Sequence, residues 1–137
     1  ISENASNMGG SQVYLQPNEV MTVDDLIKSV CIASANDSAV ALAEFVGGSE
    51  EKFVKMMNDK VKTLGLSNTN FENVHGLDSD NHYSCPNDMA VIARELLKHK
   101  KILEYSSIYE EYLKKNDGSS IWMVNTNKVV YKFYYNT

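Results

Sequence analysis

The sequence is short of arginine, cysteine, proline and long apolar runs, and these shortages narrow what the chain can be. Arginine occurs once, at Arg94, against twelve lysines. With 18 acidic residues to 13 basic ones the formal net charge is −5. No nucleic acid is expected as a partner, because binding one needs a basic face. Cys31 and Cys85 are the two cysteines, and whether they pair cannot be read from sequence. The expectation is two free thiols, with Cys31 packed as a small hydrophobe. The uncharged run around Val30–Asn36 falls far short of the roughly 20 residues that cross a bilayer. Ile1–Asn7 has neither the basic start nor the apolar run of a secretory signal. What remains is ordinary: 137 residues, 43% hydrophobic and 23% charged, the size and balance of one globular domain. A disordered tail, a collagen-like repeat and a coiled coil are excluded.

Helical periods dominate the first hundred residues. A brief strand is expected at Gln12–Leu15, before a turn at Pro17-Asn18. Thr22 can cap a helix whose first turn holds Asp24 and Asp25, with Val23, Leu26, Ile27, Val30 and Cys31 at helical spacing. Ser34-Ala35-Asn36-Asp37 interrupts that pattern, and a second helix is expected from about Ser38 to Val46. Ser49 caps a third helix, ended by Gly65. Pro86 opens a fourth, with Met89, Ile92, Ala93, Leu96 and Leu97 as its buried face. A short fifth helix covers Ile102–Ser106. The character then changes to aromatic and β-branched residues. Ile108–Lys114 and Ser119–Val124 flank Asn116-Asp117-Gly118, a hairpin signal. Val129–Tyr135 is a third strand candidate. Tyr105, Tyr109, Tyr112, Trp122, Tyr131, Phe133, Tyr134 and Tyr135 suit a pleated, half-buried surface and call for no cofactor.

Two readings of Ser34-Ala35-Asn36 stand side by side. It is an interhelical turn, with Asn36 or Asp37 capping the second helix. Alternatively, it holds a hydroxyl for proton relay and a two-way hydrogen-bonding amide at a rigid junction, as a site requires.

The surrounding residues bear on that choice. Met21-Thr22-Val23-Asp24-Asp25-Leu26 through Ala33-Ser34-Ala35-Asn36-Asp37-Ser38-Ala39-Val40-Ala41-Leu42-Ala43-Glu44 resembles the serine D-alanyl-D-alanine carboxypeptidases, the low-molecular-mass penicillin-binding proteins. The resemblance continues at Gly48-Ser49-Glu50-Glu51-Lys52-Phe53-Val54, Leu64-Gly65-Leu66, Asn68-Thr69-Asn70-Phe71, Val74-His75-Gly76-Leu77-Asp78 and Asp88-Met89-Ala90. It runs collinearly over most of residues 8–127. It implies an α+β chain of the β-lactamase/transpeptidase-like fold, with residues 1–106 a mainly helical lobe and 107–137 antiparallel strands. It also implies acyl transfer to a serine nucleophile, with peptidoglycan stem peptides as substrates, β-lactam antibiotics as inhibitors, and no cofactor or metal. Ser34 then corresponds to the relay hydroxyl and Asn36 to the amide that holds substrate. Such enzymes act outside the cytoplasmic membrane.

In that family three motifs line one cleft, and only the middle one is present here. Ser49-Glu50-Glu51-Lys52 matches the letters of the nucleophile motif Ser-x-x-Lys, but it opens a helix downstream of Ser34, whereas the family's nucleophile lies upstream. Lys62-Thr63-Leu64 fails the Lys-Thr-Gly pattern and sits inside a helix. The expectation is therefore a single incomplete domain, the central fragment of a larger enzyme and inactive by itself. Its uncovered strand edge would favour self-association or a poorly ordered final strand. A non-catalytic module that binds cell-wall peptide is the alternative. A class A β-lactamase relative is another, though its middle motif is usually Ser-Asp-Asn.

Two further groups have chemistry to weigh. His75, Asp78, Asp80 and His82 bring imidazoles and carboxylates within eight residues, but not at a recognised metal-ligand spacing. A structural loop is expected there, with His75 bonding locally. Asp88 matches an acidic position of the family, and a first-turn carboxylate stabilising its own helix would also account for it. The family's usual arginine before it is Asn87 here.

Overall fold

The structure, a computed structural model, describes residues 1–135. The elements run α1 (Glu3–Ser6), α2 (Val23–Ala33), α3 (Asn36–Gly47), α4 (Glu50–Thr63), α5 (Pro86–Leu96), α6 (Lys100–Ser106), β1 (Glu110–Lys114), β2 (Ser120–Val124) and α7 (Lys128–Tyr135). They divide into two units. One holds Ile1–Leu42 with the chain from Lys101 onward, and the other holds Ala43–Lys100.

In the first unit α2 begins where the Thr22 hydroxyl accepts the Asp25 N–H at 3.0 Å. That bond satisfies one of the free amides of the first turn. Its apolar stripe buries Leu26 and Ile32, and it lies against β1 and β2. The strands pair antiparallel, with Tyr112 opposite Trp122 and Leu113 opposite Ile121. The two-residue period of a strand turns Leu113 and Met123 inward and leaves Tyr112 and Trp122 exposed. At the tip, the Lys115 N–H donates to the Ser119 carbonyl at 2.9 Å and the Gly118 N–H to the Lys115 carbonyl at 3.1 Å. Gly118, at φ +85°, takes the left-handed position that closes this three-residue loop, the turn expected from Asn-Asp-Gly.

In the second unit Ser49 caps α4 through the Lys52 N–H. Leu64 and Gly65 end the helix, with Gly65 at φ +71°. Asn70 and Tyr83 form an isolated antiparallel bridge. Asp88, on the first turn of α5, is buried and accepts the Asn68 N–H at 3.0 Å and the Thr69 hydroxyl at 2.9 Å. It braces the chain after α4 as well as its own helix. Burial pushes its carboxyl up, but those hydrogen bonds outweigh burial and hold it below the usual range. Both cysteines are free thiols.

Four expectations meet a different outcome. Gln12–Leu15 is not a strand. Tyr14 sits at φ 55°, and this kink turns the N–H groups of Val13 and Leu15 onto the Asp37 carboxylate, which replaces a strand partner. The second expected helix starts at Asn36 rather than Ser38. The groups that read as breakers are satisfied there, the Asn36 N–H by the Ser11 carbonyl and the Ser38 N–H by Asp37. Val129–Tyr135 lies in a helix, α7, not a third strand. The Asn125 side chain accepts the Asn127 N–H at 2.9 Å, and Asn127 accepts the Val129 N–H at 3.0 Å. Two successive Asx turns thus redirect the chain and cap a helix. The side chains of Phe133, Tyr134 and Tyr135 and the whole of Asn136 and Thr137 lie outside the described residues. Finally, Met89, Leu96 and Leu97 are about half exposed rather than buried. Ile92 and Leu96 line an open cleft of about 290 Å³ with Met57, Val61, Leu64 and Phe71 of the same unit.

Candidate active site

The end of α2 carries both residues singled out above. Ile32, in the last turn, is fully buried and anchors the helix from below. One step past the helix the backbone of Ser34 turns left-handed, at φ 55° and ψ 39°. For a residue other than glycine that conformation costs about 1–2 kcal/mol. Anchors on both sides hold it. The Ser34 N–H donates to the Val30 carbonyl at 3.2 Å, the Ala35 N–H donates to Ser29, and the Ala35 side chain is buried. The turn leaves Ser34 exposed. Its hydroxyl makes no hydrogen bond among the described residues.

Asn36 is held the opposite way. It is 8% exposed, and its amide Nδ2 donates to the Gly9 carbonyl at 2.8 Å. Its backbone N–H donates to the Ser11 carbonyl at the same distance. The side chain therefore has a fixed rotamer with one N–H used, and its Oδ1 has no partner among the described residues. A free hydroxyl and a clamped amide, two residues apart, can pass a proton and hold an amide of a bound chain.

Asp37 positions this pair. Fully buried, it accepts the N–H groups of Val13 at 3.2 Å, Leu15 at 3.1 Å and Ser38 at 2.9 Å. These bonds fasten Val13–Leu15 to the start of α3, next in the chain to the Gly9 and Ser11 carbonyls that hold Asn36. In the sequence Asp37 reads only as a cap. The one available signal is a carboxylate inside an otherwise uncharged run, Ala33 to Ala43. Cys31, in the last turn of α2, is a poor nucleophile, because burial pushes its thiol up.

The two imidazoles serve loops of the second unit. His75 Nδ1 accepts the Leu77 N–H at 3.2 Å, the local bond expected of it, and its Nε2 lies 3.9 Å from the Glu50 carboxylate. His82 Nδ1 accepts the Glu72 N–H at 3.1 Å, with its ring edge-on to Phe71. Asp78 and Asp80 are exposed.

Comparison with known proteins adds an independent line. The profile of the family described as D-alanyl-D-alanine carboxypeptidase matches residues 1–137. The D-alanyl-D-alanine carboxypeptidase DacF of Bacillus subtilis is 53% identical over 133 residues, which cover 97% of this chain and 34% of that protein. The D-alanyl-D-alanine carboxypeptidase DacC of Escherichia coli is 38% identical over 130 residues, covering 90% of this chain and 32% of the relative. Among solved structures, penicillin binding protein 5 from Haemophilus influenzae superposes with a TM-score of 0.81 at 34% identity, over 91% of this chain and 35% of that one. The chain thus spans about a third of the length of the curated relatives it matches.

Proposed function

As the chain belongs to the D-alanyl-D-alanine carboxypeptidase family, a serine peptidase family with the β-lactamase/transpeptidase-like fold, we propose that it supplies the middle motif of an acyl-serine active site. The reaction removes the terminal D-alanine from peptidoglycan stem pentapeptides, outside the cytoplasmic membrane. A serine nucleophile attacks the carbonyl of the penultimate D-alanine. The bond to the terminal residue breaks, and the departing amine takes a proton. β-Lactams enter the same route and acylate the same serine. Ser34 relays the proton to or from the leaving nitrogen. Asn36 holds the substrate backbone through its Oδ1 and its second N–H. The nucleophile with its activating lysine, and the Lys-Thr-Gly strand, come from outside residues 1–137.

The observation that carries this reading is the junction itself. An exposed hydroxyl in a left-handed backbone stands two residues from a buried amide whose rotamer is set by Gly9. Such preorganisation favours proton transfer over a merely structural turn. The test is acylation of the intact protein by a fluorescent penicillin. The wild type gains the mass of one penicilloyl group, and Ser34→Ala or Asn36→Ala slows acylation about 100-fold, the usual scale for an acid–base group. Residues 1–137 expressed alone form no adduct. An adduct on that polypeptide, or wild-type rates in both variants, would refute the assignment.

A further inference from the structure

The Asn125 side chain makes three hydrogen bonds to backbone, and the reading of Ser34 and Asn36 leaves it unassigned. It is 9% exposed. Its Nδ2 donates both hydrogens, to the Ser106 carbonyl at 3.0 Å and the Ile108 carbonyl at 2.8 Å. Its Oδ1 accepts the Asn127 N–H at 2.9 Å, and its backbone N–H donates to the Tyr109 carbonyl at 2.7 Å. One side chain thus joins the end of α6, the entry to β1, the end of β2 and the approach to α7.

The next residue reaches the candidate site. The Thr126 N–H donates to the Ile32 carbonyl at 3.1 Å. Ile32 lies in the last turn of α2, where carbonyls have no partner within the helix. The bond therefore caps α2 two residues before Ser34. An amide with both hydrogens and its oxygen engaged has one orientation, so the Thr126 N–H is presented at a fixed height to the helix end. No other residue type reproduces this pattern. Aspartate would set a carboxylate against two carbonyls, and alanine would leave both without a donor.

We infer that Asn125 is a positioning residue for the proton relay. Through Thr126 it sets the end of α2, and with it the place of the Ser34 hydroxyl. The inference rests on the acyl-transfer reading of Ser34. A displacement of under an ångström at a relay hydroxyl is enough to slow the chemical step strongly while leaving substrate binding nearly intact.

The experiment uses the intact protein and separates the number of active sites from the rate at each. Titration with a fluorescent penicillin counts the sites that can be acylated, and single-turnover kinetics gives the acylation constant per site. For Asn125→Ala the expected result is a constant lowered about 10- to 100-fold per titrated site, with the penicillin concentration for half-maximal rate changed less than about 3-fold. Asn125→Asp behaves the same way. Asn58→Ala is the matched control, since Asn58 also makes a two-way bond to backbone, with the Phe71 N–H and carbonyl. It loses stability but keeps the wild-type constant per site. A purely structural role for Asn125 would lower the count of titrated sites and leave the constant untouched, and that result overturns the inference. If Asn125→Ala gives no acylated sites, Asn125→Ser, which keeps one donor, is measured in its place. Unfolding of both assigns Asn125 to folding alone and also overturns the inference. If the wild type itself is not acylated, the acyl-transfer reading fails instead, so the two failures are distinct.

Discussion

The left-handed backbone at Ser34 sets a stability cost against the placement of its hydroxyl. Glycine takes that conformation without the steric penalty of a Cβ, so Ser34→Gly is expected to raise stability by up to about 1 kcal/mol, after the larger chain entropy glycine loses on folding. The same variant slows penicillin acylation of the intact protein. Urea unfolding midpoints of Ser34→Gly and Ser34→Ala check this, because only glycine gives the gain. A stabilised variant that has lost its relay would mark Ser34 as a strained functional position. Asn36 and Asp37 divide the remaining work at this scale. One faces the site with a fixed amide, and the other spends its carboxylate on three backbone N–H groups. Ser34 and Asn36 are legible in the sequence as a candidate pair through the company they keep. Asp37 was not, because two of its three partners lie more than twenty residues earlier in a segment with no periodic signal.

Elements here are decided by caps and close contacts as much as by periodicity. Gly47, in the last turn of α3, packs onto the start of α4. A Cβ on it would lie 2.8 Å from the Phe53 nitrogen and 2.9 Å from the Phe53 Cβ. Alanine would gain about 1 kcal/mol in helix propensity, but backbone overpacking costs about 1–3 kcal/mol. Gly47→Ala is therefore expected to destabilise by about 1 kcal/mol, read as a lower urea midpoint. An unchanged or higher midpoint would mean that the turn between the helices yields. The same weighing explains α7. Its residues carry β-branched and aromatic side chains, so propensity and pattern pointed to a strand. Asn125 and Asn127 override that preference by capping a helix start. The α5 stripe kept its helical period, but period alone does not say whether a face is covered.

At the scale of the molecule, Asp24 ties three elements of the first unit together. It pairs with Lys101 at 2.7 Å, accepts the Tyr105 hydroxyl, and lies 3.6 Å from Lys28, which in turn reaches Glu111 at 2.9 Å. The Lys101 ammonium, followed by the Tyr105 hydroxyl, holds the Asp24 carboxyl down at about 2. A carboxyl lowered on folding stabilises the native state above its unfolded value, near 3.8, and that contribution is lost as the pH falls toward about 2. Thermal midpoints are therefore expected to drop between about pH 4 and pH 2. Asp24→Asn should start lower at neutral pH and fall less over that window. Equal slopes for the two proteins would show that other carboxylates control the acid limb.

Residue order alone determined the helical lobe, the caps at Thr22 and Ser49, the Asn-Asp-Gly hairpin and the family to which the chain belongs. Most of those signals are local: a period, a capping hydroxyl and a left-handed glycine act over a few neighbouring residues, and the family is read from short motifs in a fixed order. Tertiary structure decided the rest. It set Asp37 beneath the Gly9–Leu15 segment, turned the last aromatic segment into a helix, and set the Thr126 N–H on the end of α2. The first and the last depend on a backbone partner far away in sequence, and the helix depends on two Asx turns that override residue preference; the need to satisfy such polar groups leaves no periodic trace along the chain.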